Sequence, residues 1–313
     1  MPRAIFRIAV SLLTLATRFP LSPMASAAGP LPKASIVIPF SYAGDHLIAV
    51  RGSIGAREGL TFLVDLGTTY TLIDRKIASQ FQSGERLDVS HFSGSLSTNE
   101  AVLPLLTLGA VRVTDFHVYL TDLAEMPVAP AGVAGIIGAD FLSRGNVTFD
   151  FASQKIVFSE HVSGEHQAPL EKCAVGYAVQ AFWKNQQVKL ALSNGVALLT
   201  LDRERMNEKP LKLRGLKPGT LETNFSVTPV ALFKTNDIVV NDIRLHGEGV
   251  LRKIDWPVPS DQLDGFLPLT ALRASRVSLD FERGLLLWDA LDSKTQRARS
   301  DPRSPEGNSL GDK

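Results

Sequence analysis

The segment Phe62-Leu63-Val64-Asp65-Leu66-Gly67-Thr68-Thr69 is an apolar run that ends in a carboxylate two residues before a glycine. Such a run predicts a buried strand. A carboxylate at its tip is costly to bury unless hydrogen bonds or a second charge compensate. The position therefore suits either chemistry at the carboxylate of Asp65 or the fixing of a turn. Other chemistries find little footing. His161 and His166 are five apart, which is not one helical face. With Glu160, Ser163, Gly164, Glu165 and Pro169 around them they read as a solvated linker, and their spacing matches no recognised metal site. Cys173 is the single cysteine, and no motif of a nucleophilic thiol surrounds it, which favours a small apolar role. Asp150 and Asp280 each precede Phe at a hairpin turn, and their recurrence points to a structural turn. Asp140 reads as a helix-start residue beside Gly138. There is no G-x-S-x-G elbow, P-loop or G-x-G-x-x-G. The sequence implies no metal and no cofactor.

The chain that must position Asp65 has 313 residues, 44% hydrophobic and 21% charged, with a net charge of +1. That composition supports a real core and up to two domains. It gives no reason to expect nucleic acid as a partner or an anionic membrane surface. Arg3 and Arg7, the apolar residues 8–16 and Ala25-Ser26-Ala27 form an export signal over 1–27, too short to span a bilayer. Export with one cysteine predicts a periplasmic or secreted bacterial protein. The sequons at Asn146 and Asn224 carry meaning only in a host that glycosylates. Residues 291–313 are polar and lack periodicity, which predicts a disordered tail.

An internal repeat organises the rest. Val133-Ala134-Gly135-Ile136-Ile137-Gly138-Ala139-Asp140-Phe141-Leu142 corresponds to Leu263-Asp264-Gly265-Phe266-Leu267-Pro268-Leu269-Thr270-Ala271-Leu272, 130 positions on. Asn146-Val147-Thr148-Phe149-Asp150-Phe151 corresponds to Arg276-Val277-Ser278-Leu279-Asp280-Phe281 at the same offset. Val64-Asp65-Leu66-Gly67 corresponds to Leu192-Ser193-Asn194-Gly195, 128 positions on. Each unit reads as a strand pair, the strand ending at Asp65 or Ser193, a short helix capped by Asp74 or Asp202, further strands, and a closing helical turn and hairpin. The predicted class is all-β: two similar lobes, closed or partly open β-barrels with short helices, dividing near residues 160–170.

These residues resemble the pepsin/retropepsin-like aspartic proteases. That family's lobe has an apolar-apolar-Asp-Thr/Ser-Gly loop, here Leu63-Val64-Asp65-Leu66-Gly67-Thr68. It also has an apolar-apolar-Gly segment crossing behind that loop, here Ile136-Ile137-Gly138. The resemblance implies a first lobe over 33–165 and a degenerate second lobe over 166–290. It implies an extended polypeptide as substrate or ligand in the cleft between lobes, and a β-hairpin flap near residues 89–102 with Gly94 toward its tip. The family's chemistry needs two aspartates that share a proton. Asp65 is one, but its counterpart is Ser193. The hydroxyl residue that follows each family aspartate and braces the two loops is replaced by Leu66 and Asn194, while Gly195 is kept. Three readings follow: a peptidase pairing Asp65 with Asp65 of a second chain in a homodimer, a weak or altered hydrolase pairing Asp65 with Ser193, and a binding module that has lost catalysis.

Overall fold

The computed structural model describes residues 6–7, 13–14, 35–44, 46–81, 83–91, 94–125, 132–209, 215–222, 227–254, 256 and 262–291. The expected export signal and C-terminal tail lie outside these residues but for 6–7, 13–14 and 291, and the sequon at Asn224 lies outside them too. Among the described residues strands dominate, and the α-helices are two short ones, Ala139–Leu142 and Arg203–Glu208.

Two crossings set the architecture. The strand Val133–Ile137 runs parallel to Arg57–Val64, with Ile136 opposite Leu63 and Ile137 opposite Val64, and antiparallel to Leu72–Asp74. In the second half, Gly265–Pro268 runs parallel to Gln186–Ser193, with Leu267 opposite Leu192 and Pro268 opposite Ser193, and antiparallel to Leu199–Asp202. Each crossing strand is clamped between two neighbours, which leaves no room for a side chain where the backbones meet. A Cβ on Gly135 would stand 2.5 Å from the Leu72 carbonyl oxygen, and one on Gly265 would stand 2.1 Å from that of Thr200. The glycines that open both repeated segments are thus set by close approach.

The halves join in a six-stranded antiparallel sheet. Its order is Ile36–Ala43, Lys155–Ser159, Asn146–Asp150, Ala274–Asp280, Leu285–Ala290 and His166–Cys173. The central pair places Thr148 opposite Ser278, residues 130 positions apart, and their hydroxyls hydrogen-bond at 2.8 Å. Equivalent residues meeting each other mark a local two-fold axis through this point. The outer strands carry Pro39 and Pro169, also 130 apart. A missing N–H there suits an edge strand. One face of the sheet contributes Val147, Phe149, Ile156, Phe158, Val277, Leu279, Leu286 and Trp288 to a buried apolar cluster drawn from both halves. Two satellite clusters repeat the pattern, one around Leu47, Leu63, Leu72, Tyr119 and Ile136, the other around Val175, Ala191, Val250 and Phe266.

The helix expected after Asp202 is present, and Asp202 caps it by accepting Glu204 N–H. The helix expected after Asp74 is a turn instead. Arg75 N–H goes to the Thr121 carbonyl at 2.7 Å, which carries the strand pairing one residue past Asp74. Asp74 still accepts Lys76 N–H at 2.8 Å and Leu123 N–H at 3.3 Å. Asn146 is buried and spends its amide on Phe281 N–H and the Glu160 carbonyl.

Candidate active site

Asp65 follows the last residue of Arg57–Val64 and is anchored there by its N–H to the Ile137 carbonyl at 3.0 Å. Ser193 ends Gln186–Ser193 in the same way. The two tips meet across the local two-fold. Ser193 Oγ donates to Asp65 Oδ1 at 3.0 Å. The same oxygen accepts Gly67 N–H at 2.9 Å, Gly195 N–H at 3.1 Å and Asn194 N–H at 3.2 Å, while Oδ2 accepts Thr68 Oγ1 at 3.0 Å. Gly195 N–H also reaches Ser193 Oγ at 3.1 Å. Asp65 is 2% exposed and Ser193 0%, so no side of this carboxylate is broadly open to water. Burial pushes the Asp65 carboxyl above its ordinary range, and the hydrogen bonds from Gly67, Ser193, Thr68 and Gly195 oppose that without cancelling it.

The backbone flanking Asp65 is held by a single side chain. Leu66 N–H donates to Asn194 Oδ1 at 2.9 Å, and Asn194 Nδ2 donates to the Val64 carbonyl. An amide carries both a donor and an acceptor, so Asn194 does from one side what a pair of hydroxyl residues would do reciprocally. Leu66 gives nothing back: it is buried in the apolar core. The Cys173–Gly176 turn of the second half closes over the same loop. Thr69 Oγ1 donates to the Ala174 carbonyl at 3.0 Å, and a Cβ on Gly176 (φ +106°) would stand 2.6 Å from the Leu66 carbonyl oxygen.

Behind the loop stands the segment Ile136-Ile137-Gly138. Both isoleucines are fully buried. A Cβ on Gly138 would press within 2.7 Å of the Thr68 carbonyl oxygen. The N-terminal N–H groups of the Ala139–Leu142 helix take the loop carbonyls, Ala139 to Thr68 at 2.7 Å and Asp140 to Thr69 at 3.1 Å. Asp140 sits at the helix start and also clamps Thr71, accepting its N–H at 2.9 Å and its hydroxyl at 2.8 Å. Gly138 N–H completes the set on Thr71 Oγ1.

Burial raises the Asp140 carboxyl from its ordinary 3.8 to about 6, against the Thr71 and Phe141 hydrogen bonds and the nearby Arg144. A carboxyl raised by folding favours the folded state when protonated. Its contribution is complete below about pH 4 and is lost as pH rises through 6, about 3 kcal/mol in all. From pH 7 down to pH 5 this group alone should add about 1 kcal/mol of stability. Urea midpoints at the two pH values check this. The native chain should gain on acidification more than Asp140→Asn does; equal responses would remove Asp140 as the source.

The hairpin expected as a flap is formed by Ser83–His91 and Gly94–Leu108, with His91 opposite Gly94. Gly94 therefore flanks the tip, and residues 92–93 lie outside the described residues. The second half has a matching hairpin, Lys217–Glu222 with Val227–Lys234. Among the remaining sequence candidates, Asp150 accepts Ser153 N–H and Asp280 accepts Arg283 N–H, both inside their turns. Cys173 is half-buried and in no disulfide. Among the described residues no group of three or more His, Cys, Asp and Glu side chains could hold a metal ion, and no helix is long and apolar enough to cross a membrane.

Residues 50–141 match the aspartyl protease family model. Over these residues the chain is similar to the retropepsin/pepsin-like aspartic proteases. The match covers the strand ending at Asp65, the hairpin of Ser83–His91 and Gly94–Leu108, and the crossing strand with Gly138, and it supports a protease-like function. No curated protein matches the chain. Within the matched residues the sequence located Asp65, Leu66, Gly67, Thr68, Ile136, Ile137 and Gly138 as one assembly, and the structure brings them together with Ser193, Asn194 and Gly195. What sequence reasoning missed is the role of Asn194 as the brace, the Thr71–Asp140 clamp, and the Thr69 and Gly176 contacts between halves. Thr71, one hydroxyl residue among Thr68-Thr69-Tyr70-Thr71, carried no signal beyond its position in the loop.

Proposed function

We propose that the protein is a single-carboxylate aspartic protease homologue that binds extended polypeptide in the cleft between its lobes without turning it over. Its units in this reading are an export signal over 1–27, lobes over 33–165 and 166–290, and a tail over 291–313, acting in the periplasm or outside the cell. One observation carries it: the Asp65 carboxylate is engaged by five donors of its own chain, three of them from the Ser193–Gly195 loop. A dyad needs a second carboxyl there to hold the shared proton and polarise the scissile carbonyl. Ser193 points its proton at Asp65 instead and has no exposed surface. The loop also fills the place that Asp65 of another chain would have to take, which disfavours a shared homodimeric site. Polypeptide remains the ligand class because the lobe presents hairpin edges to which an extended strand adds by main-chain hydrogen bonds.

The test compares the mature chain with Asp65→Asn on a mixed peptide library from pH 3 to pH 8, reading both cleavage and retention of peptides. The expected result is no cleavage by either and peptide retention by both. Cleavage that disappears in Asp65→Asn would overturn the reading in favour of an active hydrolase.

A further inference from the structure

The outer face of the six-stranded sheet carries a cavity of about 220 Å³ beside the local two-fold axis, away from Asp65. The sheet forms its floor with Thr148, Asp150, Val157, Ser159, Arg276 and Ser278, and the 161–163 linker forms a wall. That linker is fixed in place, since Arg283 donates to the Val162 carbonyl at 3.1 Å, Asn146 to that of Glu160 at 2.9 Å, and Glu165 N–H to Asp289 at 3.0 Å. The cavity is therefore a formed feature rather than a gap under a free loop.

Comparison across the repeat shows what the cavity lacks. Asp280 is saturated by Arg283, its Oδ1 accepting the backbone N–H at 2.8 Å and its Oδ2 accepting Nε at 2.6 Å. Asp150 is its equivalent, but Ser153 stands where the second half has Arg283. Ser153 N–H reaches Asp150 Oδ1 at 2.8 Å, and no ion pair to Asp150 exists among the described residues. Asp150 thus offers an oxygen to a cation at a position that its twin fills with one. Directly opposite it in the sheet stands Arg276. Its guanidinium pairs with Asp289 at 2.8 Å and its side chain is 44% exposed, so further N–H groups of the five remain for a ligand. His161 adds a ring nitrogen, Ser35, Ser159 and Ser163 add hydroxyls, and among the described residues Val157 and Val162 supply the apolar lining.

We propose that this cavity binds a small zwitterion of the free α-amino acid class, its ammonium on Asp150 and its carboxylate on Arg276 and His161. The space equals roughly seven waters of liquid volume, which suits a ligand of that size. L-Alanine is the probe, titrated calorimetrically into the full mature chain, with acetate and ethylamine as single-charge controls. L-Alanine should bind at one site per chain, and each control about tenfold more weakly or worse. Asp150→Asn and Arg276→Gln should each weaken L-alanine about tenfold, and Asp65→Asn should leave it unchanged. Val157→Phe keeps a good strand former while filling the cavity, and should abolish binding. Absence of L-alanine binding, or binding that survives both Asp150→Asn and Val157→Phe, overturns the proposal. Loss of binding in Asp65→Asn would place the ligand between the lobes and overturn it equally.

Discussion

Asp65→Ala should lower the stability of the protein by about 3–5 kcal/mol, whereas Asp65→Asn should change it by about 1 kcal/mol or less. Alanine removes the acceptor of five hydrogen bonds at once. The N–H groups of Gly67 and Asn194 then lose their acceptor in a buried space, and Gly195 N–H keeps only Ser193 Oγ at 3.1 Å. Each such orphan costs about 1–3 kcal/mol, and rearrangement recovers part of the sum. Asparagine keeps an oxygen where Oδ1 stands, so the four donors there retain an acceptor, and its amide nitrogen faces Thr68 Oγ1, which can accept. The charge-assisted strength of those bonds is lost, but so is the burial penalty that raises the Asp65 carboxyl. Urea midpoints at pH 7 read the difference. If both substitutions cost the same, or if alanine is harmless, Asp65 is not what holds the two tips together.

The same contrast explains how much of this protein was legible beforehand. The apolar run ending in Asp65 and the glycines at 135 and 265 are local signals with local causes: a strand tip and a backbone crossing that excludes Cβ. The repeat made the pairing of Asp65 with Ser193 readable, because equivalent residues of two-fold related lobes meet on the axis, as Thr148 and Ser278 do at 2.8 Å. The replacement of a hydroxyl by Leu66 was readable as a loss. Its compensation by Asn194 was not, because the reach of one amide to both Leu66 N–H and the Val64 carbonyl depends on how closely two loops 128 residues apart approach. The turn after Asp74 escaped for a similar reason. Its sequence permits a helix, and the deciding hydrogen bond comes from Thr121 on another strand.

Ser193→Asp should also have a large effect, and its size should depend on pH. The new carboxyl would enter a fully buried position whose present hydroxyl lies 3.0 Å from Asp65 Oδ1. Two carboxylates at that distance cannot both ionise cheaply, so the pair would hold one proton well above the ordinary carboxylate range. At pH 7 to 8, where solvent draws that proton away, stability should fall by about 3 kcal/mol or more. Below about pH 5 the shared proton is retained and most of the loss should be recovered. In that acid range the pair has the composition that peptide hydrolysis requires, an ionised carboxyl to take a proton from water and a protonated one to polarise the carbonyl. The expected outcome is cleavage of a mixed peptide library by Ser193→Asp with an acid optimum, absent in the native chain and abolished when Asp65→Asn is added. Gly195, the main-chain N–H groups and the Asn194 brace are already placed around the pair, so only the missing carboxyl is being supplied. A Ser193→Asp chain that is folded at pH 4 and cleaves nothing would show that the second-half loop no longer presents its tip in a productive position, and that more than one carboxyl separates this lobe pair from catalysis.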